Sequence, residues 1–179
     1  MAADRGRIVA RLIVALAVPL GAAGCVTGSG PAPRTAPAPL FDPATFFAGA
    51  THGTGTLRVV LHRPTTTDVR GTGRVNAAGT IVLDQDVIQG SAAPRHRRWQ
   101  LHPVAPMRYT GTLTDAVGPV SAETHGNRLD IRFTMRHGLS VEQHLYLQPG
   151  GRIALNRLTI RKLGIVVARL DERIEKQGR

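Results

Sequence analysis

A chain of 179 residues has room for one hydrophobic core with some sequence to spare, and two independent cores are excluded. With 42% hydrophobic and 20% charged residues it has the composition of a folded domain, which sets aside wholesale disorder and a polytopic membrane protein. The formal charge of +11 suits nucleic acid, anionic membranes or acidic glycans alike. Lys162 and Lys176 are the only lysines beside 21 arginines, a bias that GC-rich coding explains equally well, so charge alone selects no partner.

The first residues give an address. Arg5, Arg7 and Arg11 precede the apolar run Leu12 to Leu20, followed by Gly21-Ala22-Ala23-Gly24 and then Cys25. Nine apolar residues are too few for a membrane-spanning helix, which needs about 20, but they suit a secretory signal. Ala22-Ala23-Gly24-Cys25 is similar to a bacterial lipobox, in which the thiol is diacylated, the signal is cut before it and the new amino terminus is acylated; Ala22 stands where Leu is usual. The alternative is a plain secretory signal with an incidental Cys25. Residues 1–24 therefore read as a lipoprotein signal peptide, with the membrane reached through acylated Cys25. Val26, in place of the Asp of the inner-membrane retention signal, favours the outer membrane. The protein is expected to face the periplasm, an address that leaves out nucleic acid. Removal of the signal takes three Arg and one Asp, so the charge falls only from +11 to +9 and belongs to the remainder.

Residues 25–40, rich in Pro, Gly and Ala, read as a linker, a semi-rigid spacer below a domain at 41–179. Asp42-Pro43 at the start and Gly49 at the end predict one short helical turn with Phe46 and Phe47 turned inward. A two-residue period then takes over. It is clearest where Leu129, Ile131, Phe133 and Met135 share one face and charges the other, and it continues through Leu139 to Leu147 and Ile153 to Ile160. Shorter alternations at Leu57 to Leu61, Val69 to Val75, Ile81 to Ile88, Arg98 to His102, Met107 to Thr114 and Val117 to His125 complete nine or ten strands with a last segment at Leu163 to Arg173. Gln143 interrupts an inward face, and Leu155 and Leu158 have opposite parity, which predicts a bulge or a polar path there. The 20 Gly and 12 Pro agree with turn-rich all-β structure: an antiparallel meandering β-barrel of 8–10 strands, able to enclose one small ligand.

Catalytic and phosphate-binding motifs are missing: there is no GxSxG, HExxH or Walker loop, and one cysteine forms neither an intramolecular disulfide nor a cysteine-cluster metal site. Gly53-Thr54-Gly55 and Gly71-Thr72-Gly73 read as barrel corners rather than nucleotide loops. The seven histidines have no metal-ligand spacing, so no metal and no cofactor are expected. Arg95-His96-Arg97-Arg98 is the sharpest charge run; Arg95, Arg97 and Arg98 are candidates for anionic surface contact, with a solvated hairpin end as the bland reading. Trp99 behind them marks entry into the core.

Phe46-Phe47-Ala48-Gly49, Arg98-Trp99, Tyr109-Thr110-Gly111, Asp115-Ala116-Val117-Gly118, Gly126-Asn127, Tyr146-Leu147, Asn156-Arg157 and Lys162-Leu163-Gly164 come in an order and spacing that resembles the bacterial lipoprotein family known as domain of unknown function 3833. The resemblance implies an envelope lipoprotein with a lipocalin-like barrel, a strand rather than a helix for the last segment, and no activity to carry over. Gln143-His144 stands where the family tends to Asp-Trp. The leading functional expectation is non-enzymatic binding of a small apolar or amphipathic molecule, with Tyr109, Asp115, Asn156, Arg157 and Lys162 as orienting polar groups. The alternative is a structural or interaction lipoprotein, its barrel filled and its basic face on anionic lipid or an envelope protein. An enzyme ranks third, and would need a cleft with Asp115 or Asp130 beside a histidine.

Overall fold

A computed structural model describes residues 30–178, so the signal peptide and Cys25 lie outside the described residues. One α-helical turn and ten strands follow in order: α1 (Pro43–Phe47), β1 (Gly49–Val59), β2 (Thr65–Val75), β3 (Ile81–Gln89), β4 (Arg95–Ala105), β5 (Arg108–Leu113), β6 (Val120–His125), β7 (Arg128–Met135), β8 (Leu139–Leu147), β9 (Ile153–Lys162) and β10 (Ile165–Lys176), with a short 3-10 turn at Arg136–Gly138 between β7 and β8. Each strand pairs antiparallel with the next, and β10 returns to β1, closing a ten-stranded barrel without edges. The all-β meander expected from the sequence is the fold.

Closure sorts the connections into two ends. Residues 60–64, 90–94, 114–119, 136–138 and 163–164 form one rim, while 76–80, 106–107, 126–127, 148–152 and α1 form the other. The second end is plugged. The Asp42 carboxylate accepts the backbone N–H of Ala44 at 3.0 Å and so starts α1, with Pro43 as its first residue. Lys176 Nζ donates to the carbonyls of Thr45 (2.9 Å), Phe46 (3.2 Å) and Ala48, satisfying the orphan acceptors at the helix end. Phe41, Phe46 and Phe47 thereby enter the core, with ring centroids 5.2 Å apart for Phe41–Phe46 and 5.1 Å for Phe46–Phe47.

The glycine pairs lie within strands, as corners should. A Cβ on Gly73 would come within 1.9 Å of the Phe47 carbonyl oxygen, so only glycine lets β2 pass beneath the plug.

Several boundaries differ from expectation. β1 starts at Gly49, eight residues before Leu57, because its Thr- and Gly-rich half carries no apolar signal. Leu61 is 87% exposed at a hairpin tip and does not face the core. β10 runs to Lys176, three residues past the expected end at Arg173, because it stays paired to β1 as far as Thr51. The sheet's irregularities fall at Val166/Ala168 and Pro103/Ala105; β8 keeps regular register through Gln143.

The proline-rich segment does not project as a spacer over its described part. The backbone N–H of Asn127 donates to the Ala36 carbonyl (2.8 Å), the Asn127 side-chain oxygen accepts Ala36 N–H (2.7 Å), and Phe41 N–H donates to Gly126 (2.8 Å). From the plugged end it climbs the outer wall to Gly30 and Pro31, whose carbonyls accept from Arg157 at 3.4 Å. Proline has already fixed much of this segment's backbone, so docking it costs little further entropy.

Candidate functional site

The interior is a packed apolar barrel with one polar layer. Inward residues recur every second position, and register aligns Glu172 with Asn156 across β10 and β9, and Leu83 with Trp99 across β3 and β4. A cavity of about 80 Å³ remains, reaching from Phe47 above the plug to Gln89 at the last residue of β3. Trp99 and Phe133 stack edge to face in its wall at 5.6 Å, and leucines at 83, 145, 158 and 170 supply much of the rest.

The polar layer has two halves. Asn156 Nδ2 donates to Glu172 Oε2 at 2.8 Å. Opposite, Gln85 Oε1 accepts from Trp99 Nε1 at 2.8 Å and from Arg97 Nη2 at 3.3 Å. Burial pushes the Glu172 carboxyl above its ordinary range, even though the Asn156 hydrogen bond and the Arg97 charge act the other way. Burial likewise lowers Arg97, against the attraction of Asp115 and Glu172. Asn156 Oδ1, Thr67 Oγ1 and Arg97 Nε, all on residues lining this cavity, are buried without a hydrogen-bond partner. Unpaired buried polar atoms are rare in folded proteins and cost about 1–3 kcal/mol each.

The raised Glu172 carboxyl has a consequence for stability. Its folded-state value lies above the ordinary 4.5, so the folded form holds the proton longer, and this group's contribution declines as pH rises from about 4.5 towards the raised value. Urea unfolding across that window should show the native chain losing stability relative to Glu172→Gln, which keeps an acceptor for Asn156. Parallel pH profiles for the two chains would contradict it.

The residues singled out from sequence do not converge. Asn156 alone of the five lines the cavity. Arg157 faces outward, donating from Nε to Asp171 at 3.0 Å and holding the N-terminal segment. Tyr109 is half-buried near the plugged end, where burial and the Asp42 charge raise its hydroxyl. Asp115 sits in the open-rim loop and accepts from Arg95 Nη2 at 2.8 Å, and Lys162 is exposed on that rim. The arginine run opens β4 directly after the 90–94 connection, so Arg95 stands at the hairpin end while Arg97 and Arg98 already belong to the strand ladder. Alternation therefore turns Arg97 inward, while Arg98 stays outside on Asp84 at 2.5 Å and Arg95 pairs with Asp115, so the three do not form one outer basic patch. Asp130 does lie beside a histidine, His144, but on the outer wall and tied also to Arg128, and it is not among the residues lining the barrel cavity.

Glu172, Gln85 and the inward turn of Arg97 escaped the sequence reading. A signal for the first two was present: Glu172 lies between Leu170 and Ile174, and Gln85 between Leu83 and Val87, each a polar residue at an apolar parity. Gln143 showed the same pattern and is buried at the cavity wall.

Comparison with known proteins now adds a family. The profile of a family described as protein of unknown function, DUF3833, matches residues 20–176. The chain belongs to this family. No curated protein sequence matches it. Among solved structures, the S-type phycobiliprotein lyase CPES from Guillardia theta superposes with a TM-score of 0.60 at 5% identity, covering 74% of this chain and 89% of that one. At that identity the likeness is one of fold, a lipocalin-like barrel, and says nothing of activity.

Proposed function

We propose that this family member is a lipid-anchored protein of the bacterial envelope whose barrel binds one small amphipathic molecule, with the compact polar end seated on the Arg97, Asn156 and Glu172 layer. The observation that carries the binding reading is the set of three unpartnered buried polar atoms around one aromatic-walled cavity. A polar end that both donates and accepts would satisfy Asn156 Oδ1, Thr67 Oγ1 and Arg97 Nε, and apolar wall would receive the rest. The anchor is acylated Cys25: each buried methylene adds about 0.8 kcal/mol, and one chain alone is marginal, so several are needed for stable attachment. In this reading the protein faces the periplasm from the outer membrane, which Val26 favours.

Native mass spectrometry of the chain from Val26 onward, exported by a cleavable signal and purified without detergent, tests the binding. A reproducible added mass, lost in Asn156→Ala and Thr67→Val but kept in a surface variant such as Arg70→Gln, is the expected result. An unliganded mass in every preparation, unchanged by envelope lipids, would overturn it. Palmitate labelling of the full chain, abolished by Cys25→Ser, tests the anchor.

One observation favours a second reading, that of a filled barrel acting through its outer surface. Pockets for drug-sized ligands occupy about 300–1,000 Å³. The cavity of about 80 Å³ instead suits a few waters or a slim group.

A further inference from the structure

The open rim carries the most exposed apolar side chains of the described residues. Leu163 is 92% exposed, Leu61 87%, Ile165 70% and Val117 55%, whereas the exposed apolar residues of the plugged end (Val104, Leu40, Met107 and Val75) range from 61% down to 37%. Leu61 and Leu163 occupy the tips of adjacent hairpins, because Val60 N–H donates to the Val167 carbonyl at 3.0 Å across the β1–β10 seam. Both have left-handed backbone, with φ of +62° and +49°, a conformation in which leucine is strained and glycine or asparagine is the usual choice. The next connection along, Arg136–Gly138, lies beside them through the Leu139–Lys162 pairing.

Charge separates the two ends. Arg63, Arg136 and Lys162 are exposed on the open rim without an acidic partner among the described residues, and the acidic residue of its loops, Asp115, is already paired with Arg95. In the strand-to-strand turns of the plugged end the one charged residue is Arg152, which is spent on the carbonyls of Lys176 and Gly178, while the Asp42 carboxylate caps α1 there and Arg34 is exposed on the docked segment beside Asn127. The N-terminal segment gives a direction as well. It climbs from Asn127 at the plugged end to Arg157 on β9, and the described chain begins there, at Gly30. Cys25 is five residues further back, a span of at most about 17 Å, which is also roughly the distance along β9 from Arg157 to the rim at Lys162.

From these we infer that the open rim docks on an anionic lipid bilayer, Leu61 and Leu163 entering the headgroup boundary with Ile165 and Val117 behind them, while Arg63, Arg136 and Lys162 meet lipid phosphates. Isolated apolar tips ringed by unpaired cations suit a soft, negatively charged interface, into which each tip inserts separately, better than a rigid protein partner, which wants a continuous patch. The inference does not depend on whether the lumen takes a ligand. If both hold, the barrel mouth lies against the bilayer.

The test is flotation of the unacylated chain from Val26 onward, which retains the whole closed barrel and the segment docked on it. The vesicles are phosphatidylcholine alone or with a third phosphatidylglycerol. The native chain should float with the anionic vesicles, and Leu61→Asp/Leu163→Asp should weaken binding at least about tenfold, since two buried leucines are lost. Arg63→Gln/Arg136→Gln/Lys162→Gln should abolish the salt-sensitive part of binding, the part removed on going from 0.15 to 1 M salt. Val104→Asp at the plugged end and Thr67→Val in the lumen should float as the native chain does, and circular dichroism establishes that each variant is folded. No flotation of the native chain, or an equal loss with Val104→Asp, would overturn the inference. So would concentration-dependent dimerisation abolished by Leu61→Asp/Leu163→Asp, which would make the rim a contact with a second copy. A bound mass that is absent or insensitive to Thr67→Val, with flotation as expected, is failure of the lumen reading alone; a bound mass lost in Thr67→Val, with no flotation of the native chain, is failure of this one alone.

Discussion

Phe41→Ala should lower the unfolding free energy by about 3–5 kcal/mol, the cost of deleting a fully enclosed phenylalanine. Phe41 has no exposed surface, touches the rings of Phe46 and Phe47, and is fixed from behind by its own N–H on Gly126. A stability of about 5–15 kcal/mol is ordinary for a domain of this size, so the loss removes roughly a fifth of it or more. Nothing nearby is free to fill the space, because α1 is held at both ends by Asp42 and Lys176. Guanidinium unfolding measures the effect, with Leu40→Ala as control. Leu40 is the preceding residue and is 50% exposed, so its truncation should stay within about 0.5 kcal/mol. Equal and small effects at both positions would mean that the plug is an appendage and not a part of the core.

The second large effect belongs to Asp130→Ala, with an expected loss of about 3 kcal/mol. Asp130 is 4% exposed and accepts from Arg128 Nη2 at 2.9 Å, and His144 Nδ1 lies 2.6 Å away across the β7–β8 pairing. Breaking a buried ion pair from one side costs about 3–5 kcal/mol, and the lower end applies because Arg128 and His144 keep 29% and 26% exposure. Burial raises the Asp130 carboxyl, but the hydrogen bonds and charges of His144 and Arg128 outweigh it and hold the group below its ordinary value of 3.8. Its contribution is therefore present above about pH 3.8 and is lost as pH falls through the lowered value. Asp130→Asn should flatten that acid limb of the stability profile. An unchanged acid limb would show that other carboxylates control it. Arg128 also donates to Thr35 Oγ1 at 3.2 Å, so the same substitution should loosen the N-terminal segment and speed amide exchange at Ala36 and Asn127.

The barrel was legible in the sequence because its strongest strands advertise a half-buried face. Leu129, Ile131 and Phe133 alternate with Arg128, Asp130 and Arg132, and a period of two has only one structural meaning. Closure was less directly written. β1 and β2 are short of apolar side chains where they pass the plug and β10, since Gly55 and Gly73 leave room for backbone there, and glycine carries no hydrophobic signal. The last segment was hard to assign for a related reason. Its inward residues are Ala168, Leu170, Glu172 and Ile174, and one of them is the carboxylate that gives the cavity its character. The candidate site is legible only in part: Asn156 stands out in the sequence, whereas the run around Arg97 suggests a solvated turn and so an outward side chain. Strand alternation, not local composition, decides where a side chain points.

The seam between β1 and β10 sets an order of events. Thr51 pairs with Lys176, and Gly73 passes under Phe47, so the first strand finds its second neighbour only when nearly the whole chain is present. The other nine pairings are between neighbours in sequence and can form early, leaving an open sheet with two unsatisfied edges until the ends meet. The same final strand delivers the ammonium that fastens the plug. Synthesis that stops a dozen residues short would thus leave a curled sheet with its floor unlatched, a species prone to pair edge to edge with its copies and a natural client for chaperones or proteases.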